Sequence, residues 1–193
     1  YTLNVTMGLM SVAEVKGQAK RYGASLTEYL TAVLLLSLLE KQAAEKRRRQ
    51  KPVALAIPIN LRSWFPSETL RNFILTVRPC IDPGLGEYSL EEIIRYVHSY
   101  MNLHLSRQEM RAVLTGNVRF TQNPLLQVIP LFLKKPVMAF SYKLLGVRPY
   151  TATYTNPGPF RVPEAMAPYI DHMEVVLGQA TRPSPHCASI SFG

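Results

Sequence analysis

The sequence predicts an α/β fold, a layered sandwich in which helices cover a mixed β-sheet. Four Ser-x-x-Glu signals each accompany apolar residues spaced three and four apart, which is typical of amphipathic helices. Short segments rich in β-branched and aromatic residues lie between them, which favours strands. Because the sequence has no internal repeat and no low-complexity linker, residues 1–193 are expected to form a single domain.

Four helices are predicted to begin at capping boxes, in which the serine side chain accepts from the third helical N–H and the glutamate accepts from the serine N–H. The pairs are Ser11 with Glu14, Ser25 with Glu28, Ser89 with Glu92, and Ser106 with Glu109. Gly23 is expected to end the first helix, so that the second begins almost at once. A further helical region is predicted over residues 125–145, with breaks or kinks at Pro130 and Pro136.

Strands are predicted over six segments, which are residues 2–8, 53–59, 73–78, 150–155, 172–177 and 186–191. The predicted order is therefore strand, two helices, two strands, two or three helices, and three strands. Such an order is typical of a layered α/β protein with a mixed sheet.

Composition indicates a folded protein from a reducing compartment. A chain of 193 residues with 47% hydrophobic content can bury a full core. Cys80 and Cys187 are far apart and lack the spacing of metal ligands, so we expect no disulfide framework, no metal site and a cytoplasmic location.

The longest apolar run, residues 32–39, is much shorter than the roughly 20 residues of a membrane span, so no membrane partner is expected. Because the chain opens on Tyr1 without a leader, we expect an N-terminal portion to be missing.

The net charge of +9 raises nucleic-acid binding as an alternative. The densest basic stretch is Lys46, Arg47, Arg48 and Arg49 with Lys51, and the other basic residues are scattered. A solvated loop is the favoured interpretation of this stretch. Contact with the phosphates of a small ligand, with a further part of the protein or with nucleic acid stays open.

Several common catalytic motifs are absent from the sequence. It contains no Gly-x-x-x-x-Gly-Lys loop, no Gly-x-Gly-x-x-Gly turn, no Gly-x-Ser-x-Gly elbow and no His-Glu-x-x-His pair. Nucleotide hydrolysis, dinucleotide binding, α/β-type serine hydrolysis and zinc proteolysis therefore have no support in the sequence. The histidines, His98, His104, His172 and His186, are isolated from paired acids, and each is interpreted as structural.

Polar side chains follow the predicted strand 53–59. Asn60 and Arg62 come directly after it, and the chain returns through Arg71 and Asn72. Polar groups at a strand end are typical of residues that line a site, so Arg62 and Asn72 are candidate substrate-binding residues. The alternative, that these residues anchor the loop, stays open.

A second group of candidates lies on the predicted strand 150–155. Because side chains alternate along a strand, Thr151, Thr153 and Thr155 are expected to share one face. The Asn-Pro-Gly sequence at 156–158 predicts a turn directly afterwards. A hydroxyl at such a strand end can donate to a developing oxyanion, although threonine is also an ordinary strand residue.

The order of these segments resembles the C-terminal half of the chloramphenicol-acetyltransferase-like superfamily, which includes peptide-synthetase condensation domains and dihydrolipoyl acyltransferases. Within that superfamily the chain looks most like the alcohol acetyltransferase-like group. The resemblance rests on residues 58–62 (Pro-Ile-Asn-Leu-Arg), 65–67 (Phe-Pro-Ser), 69–73 (Thr-Leu-Arg-Asn-Phe), 130–134, 155–158 (Thr-Asn-Pro-Gly), 162–163 and 169–170.

The resemblance implies two similar α/β lobes with a tunnel between them, of which residues 1–193 form the C-terminal lobe. The family's catalytic base is a histidine in a His-His-x-x-x-Asp-Gly motif of the N-terminal lobe, and no stretch of this sequence matches that motif. The implied partners are the missing lobe, acyl-coenzyme A as co-substrate, and a small alcohol or amine acceptor. No metal, no tightly bound cofactor and no nucleic acid are implied. We expect the chain alone to be inactive and to self-associate through surfaces that its partner lobe would cover.

The resemblance also assigns roles to individual residues. Thr155 occupies the serine position of the Ser-Asn-x-Gly segment of dihydrolipoyl acyltransferases, which implies that its hydroxyl faces the oxyanion. Threonine adds a methyl group, and Pro157 removes a backbone donor, so the match departs from that pattern. Thr153 and Asn156 accompany Thr155 as candidate substrate-binding residues. Two other functions stay open, a noncatalytic condensation-like binding lobe and, less favoured, a basic nucleic-acid-binding domain.

Overall fold

The computed structural model describes residues 4–45, 50–70, 72–124, 150–160, 162–178 and 184–192, together with the single positions 130, 132, 135 and 136. Within these residues the chain is an α/β protein with a mixed, open sheet of five strands. The predicted α/β class with a mixed sheet is therefore confirmed.

Four α-helices lie within the described ranges, and all four were predicted. They are α1 (Val12–Arg21), α2 (Leu26–Ala44), α3 (Leu90–His104) and α4 (Arg107–Gln122). Ser25 and Ser89 make complete reciprocal capping boxes with the glutamates three residues on. Gly23 follows α1 with φ +64°, a left-handed conformation that glycine adopts without a Cβ penalty, so α2 begins three residues later.

The strands are β1 (Val53–Asn60), β2 (Ile74–Val77), β3 (Cys80–Ile81), β4 (Ala152–Phe160) and β5 (His186–Phe192). They lie in the order β2-β1-β4-β5, and β3 also pairs with β1. β1 is antiparallel to β2 and β3, whereas β1, β4 and β5 are mutually parallel. The carboxyl ends of these three parallel strands consequently lie at the same end of the sheet.

β2 and β3 are two parts of one extended segment. Val77 lies opposite Ile57 and Ile81 lies opposite Val53, so both parts keep the same register on β1. The carbonyl of Pro79, between them, accepts from the Leu55 N–H at 3.1 Å. Proline has no N–H to return to the ladder, which separates β2 from β3, and the strand predicted over 73–78 is observed as Ile74–Val77.

Two predicted strands are wrong within the described residues. Residues 4–8 and 172–177 have no regular structure, although both contain β-branched residues. Val5, Val175 and Val176 are largely exposed, so intrinsic propensity there is not reinforced by a paired and buried face. The helical region predicted over 125–145 lies almost entirely outside the described residues.

The turn predicted at Asn156-Pro157-Gly158 is also wrong. β4 continues through these residues to Phe160, and its register on β5 shifts by one residue between Thr155 and Gly158. The chain therefore accommodates Asn-Pro-Gly as a β-bulge. Gly158 has φ +85°, a conformation in which a Cβ is unfavourable, and this explains how the strand passes the proline without turning back.

The hydrophobic core lies between one face of the sheet and helices α2 and α3. Its fully buried members include Leu35 of α2, Leu55 and Ile57 of β1, Ile93 and Val97 of α3, and Tyr154 of β4. Alternate residues of each strand point to the opposite face, which these two helices do not cover. No single helix among the described ranges has the length and apolar content of a membrane span, and α1 and α2 satisfy both criteria only as a pair bent by 83°.

Candidate functional site

Thr153 and Thr155 of β4 lie on the sheet face away from α2 and α3, and Thr151 directly precedes the strand. Ala152 and Tyr154 are buried in the core, whereas the threonines that alternate with them are all partly exposed. Alternation along β4 places Thr153 and Thr155 on one face. Thr151 lies before the strand, and its N–H points to β1 whereas that of Thr153 points to β5, so the face predicted for all three threonines holds only for Thr153 and Thr155. Thr155 pairs with Ala188 of β5 and directly precedes the bulge.

The threonine hydroxyls have different surroundings. The Thr151 hydroxyl accepts from the Ala54 N–H at 3.2 Å, and the Thr151 N–H donates to the Ala54 carbonyl at 2.7 Å, so Thr151 belongs to the sheet ladder. In the part of the chain that the structure describes, the hydroxyls of Thr153 and Thr155 make no hydrogen bond to protein. Thr153 and Thr155 are therefore the two hydroxyls of this strand that remain open to a ligand.

Asn156 stabilises the bulge. Its Oδ1 accepts from the Gly158 N–H at 3.0 Å, and its Nδ2 donates to the Thr27 hydroxyl at 3.1 Å. Thr27 lies in the first turn of α2, so Asn156 connects the bulge to the helix layer. These contacts occupy both polar ends of the amide, which favours a positioning role over the direct substrate contact expected from sequence.

Tyr154 fixes the strand from the core side. Its hydroxyl lies 2.8 Å from the Ser189 hydroxyl on β5, beside the bulge. Burial raises the pKa of Tyr154 to about 12, and the hydrogen bond with Ser189 partly opposes that rise. The phenol is consequently neutral at physiological pH and acts as a rigid connection between β4 and β5.

Arg62 anchors the loop that follows β1. Its Nη2 donates to the Thr69 carbonyl at 2.8 Å, and its N–H donates to Asn60 Oδ1 at 3.0 Å. This contact supports the loop-anchoring alternative that the sequence left open. Asn72, at the return of the same loop, is exposed. Both residues lie beyond the carboxyl end of β1. Because β4 is parallel to β1, the carboxyl end of β4, which follows Thr155, lies at the same end of the sheet.

His186, which the sequence analysis interpreted as structural, is a further residue at this face. It pairs with Thr153, and because its neighbour Cys187 packs against the core, His186 belongs to the face of Thr153 and Thr155. Its Nε2 is buried and has no hydrogen-bond partner among the described residues. A shielded nitrogen is not presented to a substrate, so this arrangement gives no support for His186 as a general base. The non-local pairing of β5 with β4, on which this proximity depends, has no signal in the sequence.

His98 has a structural role, as expected. Its Nδ1 lies 3.1 Å from Glu28 Oε1, and its Nε2 lies 2.9 Å from the Asn102 amide nitrogen. Glu28 also accepts from the Ser25 N–H at 2.7 Å, which completes the α2 capping box. The first turn of α2 therefore contacts α3 through Glu28 and the bulge of β4 through Thr27.

Other features of the described chain lie away from the threonine face. A groove of about 500 Å³ runs along α4, lined by Gln108, Arg111, Ala112, Thr115, Gly116 and Arg119, none of which was a candidate site residue. Basic residues 46–49 lie outside the described residues, and Lys51 is held through its backbone by Gln42. No group of three or more His, Cys, Asp or Glu side chains in the described ranges is arranged to hold a metal.

Comparison of the chain with protein-family models and with curated proteins found no match.

Proposed function

We propose that this chain is the C-terminal lobe of a coenzyme-A-dependent acyltransferase, which transfers an acyl group from a thioester to an alcohol or an amine. One observation carries the proposal. The hydroxyl-bearing face of β4 is partly exposed, away from α2 and α3, and Thr155 lies on it directly before a bulge. The resemblance at residues 155–158 supports the same role for Thr155.

The position of Thr155 in the sheet also supports this function. In open α/β sheets, ligands bind beyond the carboxyl ends of parallel strands. The carboxyl ends of β1, β4 and β5 lie at the same end of the sheet, and the loop anchored by Arg62 borders that end. A second lobe placed over this face would enclose a cleft with Thr155 on one wall.

In the proposed reaction, a histidine of the second lobe removes the proton from the acceptor hydroxyl or amine. The acceptor attacks the thioester carbonyl, and the Thr155 hydroxyl donates to the tetrahedral oxyanion. The intermediate then collapses, the C–S bond breaks, and the imidazolium returns the proton to the departing coenzyme A thiolate. Asn156 and Tyr154 hold the strand on either side of Thr155, which orients the donor before the reaction starts.

The test is substitution of Thr155 in a single polypeptide that carries both lobes, assayed by thiol release from acetyl-coenzyme A with short alcohols and amines. Thr155→Val keeps the shape but removes the donor, so kcat is expected to fall about 10²-fold, the effect of losing one oxyanion donor. Thr155→Ser keeps the hydroxyl and is expected to retain most of the activity. Thr153→Val, at a candidate substrate-binding residue on the same face, is expected to raise KM with a small effect on kcat, which separates substrate binding from oxyanion donation.

Two outcomes would contradict the proposal. If Thr155→Val and Thr153→Val have the same kcat as the unmodified protein, Thr155 is not an oxyanion donor. If the two-lobed polypeptide binds acetyl-coenzyme A and never releases thiol, the lobe serves binding and not catalysis. Strongly salt-dependent binding of random DNA would instead support the nucleic-acid alternative.

A further inference from the structure

A second groove, of about 390 Å³, lies between the C-terminal end of α1 and the first two turns of α3. It is lined by Arg21, Tyr22, Glu91, Ile94 and Arg95. Ile94 is buried in the core, whereas the four other side chains are exposed to solvent. Because those four side chains reach solvent, the groove is accessible from outside the protein, and its volume is in the range of roughly 300 to 1,000 Å³ that small-molecule sites occupy.

Two arginine side chains of this groove are available to a ligand. Arg21 belongs to the last turn of α1 and Arg95 to the second turn of α3, so positive charge comes from two separate elements. Within the described ranges neither guanidinium makes an ion pair or a hydrogen bond. A guanidinium carries five N–H donors in a planar fork that matches the oxygens of a phosphate group. The pair therefore offers charged donors to an anionic ligand.

The charge around the groove also favours an anion. The C-terminal end of a helix carries partial negative charge on its unsatisfied carbonyls. At the end of α1 the Ala19 carbonyl instead accepts from the Tyr22 N–H at 3.1 Å and from the Ala24 N–H at 3.0 Å. The N-terminal turns of α3 supply the positive end of that helix dipole, and the whole chain has a net charge of +9.

Tyr22 and Glu91 restrict the kind of anion that fits. The Tyr22 ring stacks on Tyr29 with the centroids 6.1 Å apart, and Tyr29 packs against the core, so the Tyr22 ring is held in place. Tyr22 is nevertheless 42% exposed, which leaves aromatic surface on which a base can stack. The Glu91 carboxylate repels a bare anion and accepts hydrogen bonds, which favours a ligand that also carries N–H or O–H donors.

We propose that this groove binds a nucleoside phosphate. Its phosphate contacts Arg21 and Arg95, its base stacks on Tyr22, and its amino or hydroxyl groups donate to Glu91. A free nucleotide and the nucleotide portion of a coenzyme share this chemistry, and the experiment below distinguishes these two sources.

Isothermal titration calorimetry of the 193-residue chain with adenosine monophosphate at low ionic strength tests the groove. We expect saturable binding that is weaker for adenosine and for inorganic phosphate, because each carries only part of the ligand. Arg21→Gln and Arg95→Gln are each expected to weaken the affinity for adenosine monophosphate about tenfold or more, because each removes charged hydrogen bonds to the phosphate. Arg111→Gln is the matched control, since it removes the same charge from the groove along α4, and it is expected to leave the affinity unchanged.

Two further variants separate a nucleotide from a bare anion. Tyr22→Leu removes the stacking surface and is expected to weaken adenosine monophosphate about tenfold while leaving inorganic phosphate unchanged. Glu91→Gln removes the repelling charge and is expected to strengthen the binding of inorganic phosphate. All the substituted side chains are exposed, so the circular dichroism spectra of the variants are expected to match that of the unmodified chain.

Coenzyme A, added as a competitor, identifies the source of the nucleotide. Displacement of adenosine monophosphate by coenzyme A supports the groove as the site of the nucleotide portion of a coenzyme. Binding of adenosine monophosphate that coenzyme A does not displace supports the groove as a site for a free nucleotide.

The inference is overturned if adenosine monophosphate does not bind at millimolar concentration, or if Arg111→Gln weakens it as much as Arg21→Gln and Arg95→Gln do. Equal affinity for inorganic phosphate and adenosine monophosphate would mean an adventitious ion only. Tighter binding of single-stranded DNA that all three arginine substitutions weaken equally would instead indicate a general nucleic-acid surface. None of these measurements requires catalysis, so the proposed function stands or falls separately.

Discussion

At the scale of single residues, the environment of Thr155 is set by its two neighbours in sequence. Tyr154 points into the core and contacts Ser189, and Asn156 binds the bulge to α2. The period-two alternation of β4 was visible in the sequence because Thr153 and Thr155 repeat at that spacing. The contacts of Tyr154 with Ser189 and of Asn156 with Thr27 could not be predicted from the sequence. Ser189 and Thr27 are distant in sequence from their partners, and only the folded sheet brings them near.

The raised pKa of Tyr154 predicts how stability depends on pH. The folded phenol ionises near pH 12 and the unfolded phenol near its ordinary value of about 10. Because the folded pKa is the higher one, the contribution of Tyr154 to stability is intact below about pH 10 and is lost as the pH rises toward 12. The free energy of unfolding, measured in urea at pH 8 and pH 11, is therefore expected to fall more for the unmodified chain than for Tyr154→Phe. Equal falls in the two proteins would contradict the assigned pKa.

At the scale of secondary-structure elements, helix starts were predictable and strand partners were not. A Ser-x-x-Glu box is a local signal, and all four boxes precede or open helices in the structure. Strand propensity is weaker, because a strand also needs a partner and a buried face, which residues 172–177 lack. β3 was missed because its two residues continue β2 beyond Pro79.

The hydrogen bond between Asn156 of β4 and Thr27 of α2 predicts that substitutions of these two residues have coupled effects on stability. Asn156→Ala removes the hydrogen bonds to the Thr27 hydroxyl and from the Gly158 N–H, and is expected to lower the free energy of unfolding by about 1 to 3 kcal/mol. Thr27→Val removes only the hydrogen bond from Asn156 and is expected to lower the free energy of unfolding by less, about 1 kcal/mol. In the double variant the two losses are expected to be less than additive, as measured by urea unfolding. Strict additivity would show that the side chains do not interact.

At the scale of the whole molecule, α2 and α3 cover one face of the sheet within the described residues. The α/β class and the mixed sheet followed from the order of local signals along the chain. The end of the sheet that Arg62, Asn72 and Thr155 share follows from parallel pairing of β1 with β4, across almost one hundred residues of chain. Such long-range pairings leave no periodic trace in a single sequence, which explains why the candidate residues could be named but not placed.

Thiol release from acetyl-coenzyme A is the most direct test of the claim that this chain supplies one wall of an acyltransferase cleft. The chain is assayed with a panel of short alcohols and amines, first alone and then mixed with the proposed second lobe, one that carries a His-His-x-x-x-Asp-Gly motif. The account predicts no release above the buffer rate for the chain alone and acceptor-dependent release for the mixture. Release at enzyme-like rates by the chain alone, or an inactive mixture in which the two polypeptides bind each other, would contradict it.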